Sequence, residues 1–188
     1  KVEIDRKTAG LLCSAIISDT LLFRSPTCTP MDQAAALNLA QIAGIDAEEF
    51  AKEMFEAGSK LKGKTDSEIF YQDFKRFSAG KVAFGVGQIS SLNADELEQL
   101  KKRLAPYMVK VQQEHGLDML FFMLTNILTQ STELLCQGSG AESMILKAFH
   151  MEQQEPEHLD AKECAVTLPG VVSRKKQLIP AIMIACEA

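Results

Sequence analysis

The sequence predicts a mixed α/β (α+β) protein: a compact mixed β-sheet domain flanked by helices, preceded by a purely helical stretch. Three observations carry this. Apolar spacing is helical up to Gly58, then becomes strand-like between Asp73 and Ser90. A polar, basic run containing glycine, Ser59 to Thr65 (SKLKGKT), separates the two regimes as a linker. The 188 residues are 46% hydrophobic and 24% charged, a globular composition with room for one domain and part of another.

The helical part begins at Lys7 to Ser18, apolar almost all the way round and so in need of cover on several sides. Thr29 caps a second helix with Pro30 at its first position, which stops at Gly44. Asp46 caps a third, with Glu48 and Glu49 suiting the dipole of its first turn, and it ends near Gly58. Three such helices make a poor free-standing domain and read as the tail of a larger unit whose sheet is missing.

After the linker, Thr65-Asp66 opens a short helix to Tyr71. Asp73 to Ser78 and Lys81 to Ser90 form a β-hairpin about an Ala79-Gly80 turn. Asn93 and Glu96 form a capping box for a long helix to His115, stopped by Gly116 and containing Pro106. Met119 to Leu124 and Thr132 to Cys136 are strands, and Glu142 to Phe149 is a short helix. Met151 to Asp160 reads as an acidic, solvated loop. Cys164 to Val172 is a strand with Pro169 near its end, and Ser173 caps a last helix, Arg174 to Ala185. The divisions are therefore 1–58, a hinge at 59–65, and 66–188.

A formal net charge of −5 argues against nucleic-acid binding. No apolar run reaches the ~18 residues of a membrane span, and the charged opening residues do not form a signal peptide. The cysteines (Cys13, Cys28, Cys136, Cys164 and Cys186) are odd in number and lack CxxC spacing, which fits buried thiols in a reducing cytoplasm. His115, His150 and His158 lie in polar stretches and read as solvated.

Three places could carry chemistry. Asp19 directly follows an apolar helix and suits either a hard metal ion or a helix-end hydrogen bond. Arg174, Lys175 and Lys176 stand at a helix N-terminus, against the dipole, so a bound anion would account for them; a solvated basic turn is the plainer reading. Lys75 and Arg76 occupy a strand and face opposite sides, so only one can join a given site, and a snorkelling lysine is again the alternative. No Ser-His-Asp set, phosphate loop or zinc pattern is present, and no catalytic group is assigned.

The run Ala9 to Thr29 (AGLLCSAIISDTLLFRSPTCT), Asp73-Phe74-Lys75 with Gly85-Val86-Gly87-Gln88, and Ser173-Arg174-Lys175-Lys176-Gln177 together closely resemble manganese-dependent family II inorganic pyrophosphatases of the DHH phosphoesterase superfamily. The resemblance covers the whole chain, apart from a longer acidic segment near Met151 to Asp160. It implies that Asp19 ligates one Mn²⁺ (Co²⁺ or Mg²⁺ being other candidates), and that Lys75, Arg174 and Lys175 hold pyrophosphate. It implies hydrolysis of pyrophosphate to two phosphates, with exopolyphosphatase or a non-catalytic phosphate-binding module as alternatives. The Asp-His-His signature is absent. The chain therefore matches the carboxy-terminal part: the end of an amino-terminal DHH-type lobe at 1–58, a hinge, and the substrate-binding domain at 66–188. The missing amino-terminal lobe is the expected partner, and homodimerisation is left open. The isolated part is expected to be inactive. In the full protein, lobe closure would bring the three cations to a pocket facing Asp19.

Overall fold

The computed structural model describes residues 3–58, 61, 63–151, 157–160 and 163–187. It divides into two compact units, Lys1–Lys60 and Leu61–Ala188.

The first unit holds three helices. α1 (Arg6–Thr20) is capped by Asp5, whose carboxylate accepts from the backbone of Lys7 and Thr8. α2 (Pro30–Ala43) carries a reciprocal capping box between Thr29 and Asp32 and ends at Gly44 in the left-handed conformation. α3 (Ala47–Gly58) starts from Asp46, which accepts from the N–H groups of Glu48 and Glu49. The core is built largely from small residues: Ala9, Ala36, Ala40, Ala43, Ala47 and Ala51 pack with Cys13, Ile17 and Leu39. Arg6 reaches across and donates through Nε and Nη2 to the Ala43 carbonyl, satisfying an orphan acceptor at the end of α2. The all-round apolar character of α1 is only partly used within this unit: Leu11 is 73% exposed and Met31 on α2 is 80% exposed.

The second unit is a three-layer arrangement. α4 (Asp66–Phe70), capped by Thr65, runs through a 3₁₀ turn, Tyr71–Asp73, into β1 (Phe74–Ala79). β2 (Val82–Ser91) pairs antiparallel with β1. α5 (Ala94–His115) then crosses to β3 (Met119–Asn126), parallel to β2. β4 (Ser131–Gln137), α6 (Ala141–Ala148), β5 (Glu157–Asp160) and β6 (Glu163–Pro169) follow. A π-helical turn, Arg174–Leu178, leads into α7 (Ile179–Glu187). The strand order is β1-β2-β3-β4-β6-β5. This is the mixed sheet with flanking helices that the pattern predicted.

Side chains alternate strictly between the two faces. Phe70 and α5, through Leu100, Leu104 and Met108, share a core with Leu120, Phe122 and Leu124. On the other face Ile145 of α6 and Ile182 of α7 share one with Phe84, Val86, Phe121 and Leu134. Lys101 of α5 is 3% exposed and reaches Glu133 of β4 at 3.2 Å.

Several local expectations are corrected. The hairpin turn is Gly80-Lys81, because Ala79 already pairs with Val82, and Gly80 takes φ +58. Glu157 to Asp160, read as loop, is an edge strand: its backbone groups pair with β6. Residues 152–156 of that segment lie outside the described residues, as do 59, 60 and 62 of the linker. Within the linker, Leu61 is buried in the core against Ile69 and Phe70, and Thr65 is a helix cap. The strand predicted to run to Val172 stops at Pro169, which lacks the N–H to continue the ladder. His115 is not simply solvated: its Nε2 lies 2.8 Å from the Tyr71 hydroxyl and its ring packs on Phe74. His150 is exposed, as expected.

Two outcomes follow from these contacts. A Cβ on Gly87 would collide with the Phe122 ring, which is fully buried and cannot yield, so Gly87→Ala should cost about 1–3 kcal/mol, read from the urea midpoint. The Asp5 carboxyl is held below its ordinary value of 3.8 chiefly by the Thr8 N–H, and that of Asp32 chiefly by the Thr29 hydroxyl. Stabilisation from groups lowered in this way is complete above the ordinary value and drains away as pH falls through the lowered one. Helicity by circular dichroism should hold above about pH 4 and decline below it, and Asp32→Asn should flatten the decline.

Candidate anion site on the second unit

Arg174 is the centre of the polar structure on the α7 face. The sequence left it either holding an anion or lying in a solvated basic turn; it is 9% exposed, so it is not simply solvated. Nη1 donates to the Asp73 carbonyl at 2.7 Å and to the Val86 carbonyl at 3.3 Å, and Nη2 donates to Asp73 Oδ1 at 2.7 Å. A buried guanidinium needs such partners, because burial without them would cost several kcal/mol. The Asp73 carboxylate itself is 48% exposed, so the ion pair sits at the rim.

The turn that carries Arg174 is fastened from both sides. Gln177 Oε1 accepts from the N–H groups of Val172 and Ser173, each at 2.9 Å, and its Nε2 donates to the Gly170 carbonyl at 2.7 Å. Gln88 of β2 donates to the Val172 carbonyl at 3.1 Å and to Thr125 Oγ1 at 3.2 Å. Thr125 is hydrogen-bonded to Thr132, whose hydroxyl reaches the Val171 carbonyl. Ser173 Oγ accepts from the Lys176 N–H, the cap expected from the sequence, although the helix begins as a π turn. Gln88, Thr125, Thr132 and Gln177 were not singled out as site residues. They are scattered over 90 positions of an otherwise apolar pattern, and only Gln88 and Gln177 lay inside quoted motifs.

Lys75 pairs with Val86 across the hairpin, and Val86 belongs to the core on the α7 face. Strand alternation therefore puts Lys75 on the face that holds Arg174, and Arg76 on the opposite one. Lys75, Lys175 and Lys176 are exposed and make no ion pair among the described residues. Buried Arg174 thus has Lys75 on its sheet face and Lys175 next to it in sequence, both of them exposed. A cavity of about 220 Å³, lined by Leu97, Glu98, Asn126, Thr129 and Glu133, lies on the other face and takes no part in this cluster.

Asp19 belongs to the first unit, at the exposed end of α1. The chain behind it turns through three consecutive left-handed residues, Leu21, Leu22 and Phe23, with φ of 49, 50 and 64. Each costs about 1–2 kcal/mol for a side-chain-bearing residue. The turn is held by Leu22 N–H donating to Ile17 and Ser25 N–H donating to Thr20, and by the Thr20 hydroxyl, which accepts from the Phe23 N–H. Among the described residues no group of three or more His, Cys, Asp or Glu side chains could hold a metal ion. Asp19 therefore belongs to no such group among the described residues.

If the turn is held as described, Gln177→Ala should cost about 1–3 kcal/mol, since three backbone groups lose their partner at once. Urea denaturation measures this, and an unchanged midpoint would mean that water replaces the amide without loss.

The comparisons with known proteins agree on one family. The DHHA2 domain model matches residues 52–185. A probable manganese-dependent inorganic pyrophosphatase of Clostridium acetobutylicum is 41% identical over 99% of this chain and 57% of its own length. A cobalt-dependent inorganic pyrophosphatase of Clostridium perfringens is 43% identical over 95% of this chain and 31% of its own. The crystal structure of a Methanococcus jannaschii protein assigned as a family II inorganic pyrophosphatase superposes with a TM-score of 0.81 at 36% identity, covering all of this chain and 58% of the other. The chain thus spans somewhat over half, or less, of the length of the relatives it matches. With matched model, relatives and fold in agreement, the chain belongs to the DHHA2 domain family, and it is similar to part of the inorganic pyrophosphatases named above.

Proposed function

We propose that this chain supplies the phosphate clamp of a manganese- or cobalt-dependent enzyme that hydrolyses pyrophosphate to two phosphates in the cytoplasm. Lys75, Arg174 and Lys175 hold the substrate in this reading. The single observation that supports it is the pinned Arg174, with Lys75 on the same sheet face. A cation already held in place by the protein neutralises an anion at little reorganisation cost.

Asp19 is proposed as one metal ligand, the remaining ligands lying outside these 188 residues. Residues 1–58 are read as the end of an amino-terminal lobe whose sheet would cover the apolar face of Leu11, Leu12 and Met31, and 59–65 as a hinge. With the other metal ligands assigned to the missing lobe, this chain alone is expected to bind the anion without turning it over.

Calorimetric titration of the 188-residue chain with pyrophosphate tests the clamp. Arg174→Ala and Lys75→Ala should each weaken binding about tenfold or more, the scale of one lost charge-assisted contact. Affinity unchanged in both variants would refute the assignment. Mn²⁺-dependent turnover by this chain at a rate like that of its full-length relatives would refute the view that it only binds. Tighter binding of long-chain polyphosphate than of pyrophosphate would favour an exopolyphosphatase.

A further inference from the structure

We propose that Asp73 is a positioning residue, which commits Arg174 to receive a tetrahedral oxyanion side-on through Nε and Nη2. This rests on the clamp reading above and specifies how its central residue works.

A guanidinium has five N–H donors in a rigid plane. The two hydrogens on Nη1 go to the carbonyls of Asp73 and Val86, and one on Nη2 goes to Asp73 Oδ1. Carbonyl and carboxylate of one residue therefore take the end-on edge, formed by Nη1 and Nη2. Nε–H and the second Nη2 hydrogen run parallel along the other edge, and they have no partner among the described residues. Two parallel donors of this kind match two oxygens of a phosphoryl group. Were Asp73 absent, the side chain could turn either edge to the anion or swing toward water. The two carbonyls alone would leave the charge of a 9% exposed group without a counter-charge. Asp73 can hold this place because it ends the 3₁₀ turn immediately before β1, two residues ahead of Lys75.

The negative charge of Asp73 also repels an incoming anion, so the sign of the effect decides between the two roles. Asp73→Asn keeps an acceptor of the same shape and removes the charge. Asp73→Ala removes both.

The test uses the 188-residue chain, sodium pyrophosphate, calorimetry and the Arg174 Nε–H resonance, assigned by its loss in Arg174→Lys. In the unmodified chain that resonance should shift on saturation with pyrophosphate. Asp73→Ala should bind about tenfold more weakly and lose the shift, Asp73→Asn should fall between, and Asp73→Glu should recover part of the affinity. Arg174→Lys should bind as weakly as Asp73→Ala although it keeps its charge. Tighter binding by Asp73→Asn, or a full Nε–H shift in Asp73→Ala, overturns the inference while leaving the clamp intact. So does wild-type affinity in Arg174→Lys when Arg174→Ala is weak. Wild-type affinity in Arg174→Ala removes the clamp, and the inference with it. If Asp73→Ala fails to fold, the unmodified chain still decides, because no Nε–H movement at saturation is fatal.

Discussion

On the α7 face, the second unit is organised around the burial of one positive charge, that of Arg174. Arg174 stands in the turn that leads into α7, and its guanidinium is held by the Asp73 carboxylate and by the carbonyls of Asp73 and of Val86 on β2. Taking such a group from water is expensive, so the partners must be in place before burial is favourable. This contact joins positions 101 residues apart and fixes the first turn of the last helix against the hairpin. The exposed lysines around it gain a common reference point, since Lys75 follows two residues after Asp73 and Lys175 follows Arg174 directly.

A chain of uncharged groups supports that contact. Gln177 closes the loop from Gly170 to Ser173, and Gln88, Thr125 and Thr132 tie the same loop to the sheet. Thr125 and Thr132 are fully buried, and each hydroxyl is satisfied. In a low-dielectric interior such a network is stabilising only if complete. It explains how a segment with no regular ladder between Pro169 and Arg174 can hold a precise shape under the buried Val171 and Val172.

The first unit solves a different problem. Alanine-rich surfaces let α1 and α2 approach closely, and the link behind them accepts three left-handed residues in succession. That strain persists because Leu22 and Phe23 pack against the same core and their backbone groups are bonded. Strain of this kind is tolerated where the surroundings over-determine the conformation. Here it begins two residues after Asp19.

Much of the local chemistry was readable in the sequence, although the hairpin turn was placed one residue early and the last strand three residues too long. The caps at Thr29, Thr65, Asn93 and Ser173, the stops at Gly44 and Gly116 and the switch from helical to strand period all appear where their residues stand, because each depends on neighbours within four positions. The edge strand at Glu157–Asp160 was not readable, since a polar run becomes a strand only when another strand offers its backbone groups. Nor was the state of Arg174: the sequence shows a cation facing a helix dipole, while its burial depends on an aspartate a hundred residues away. The choice between Lys75 and Arg76 likewise waited for the fold. Alternation says that the two point apart, and only the packing of α7 on one side of the sheet decides which of them shares a face with the Arg174 turn.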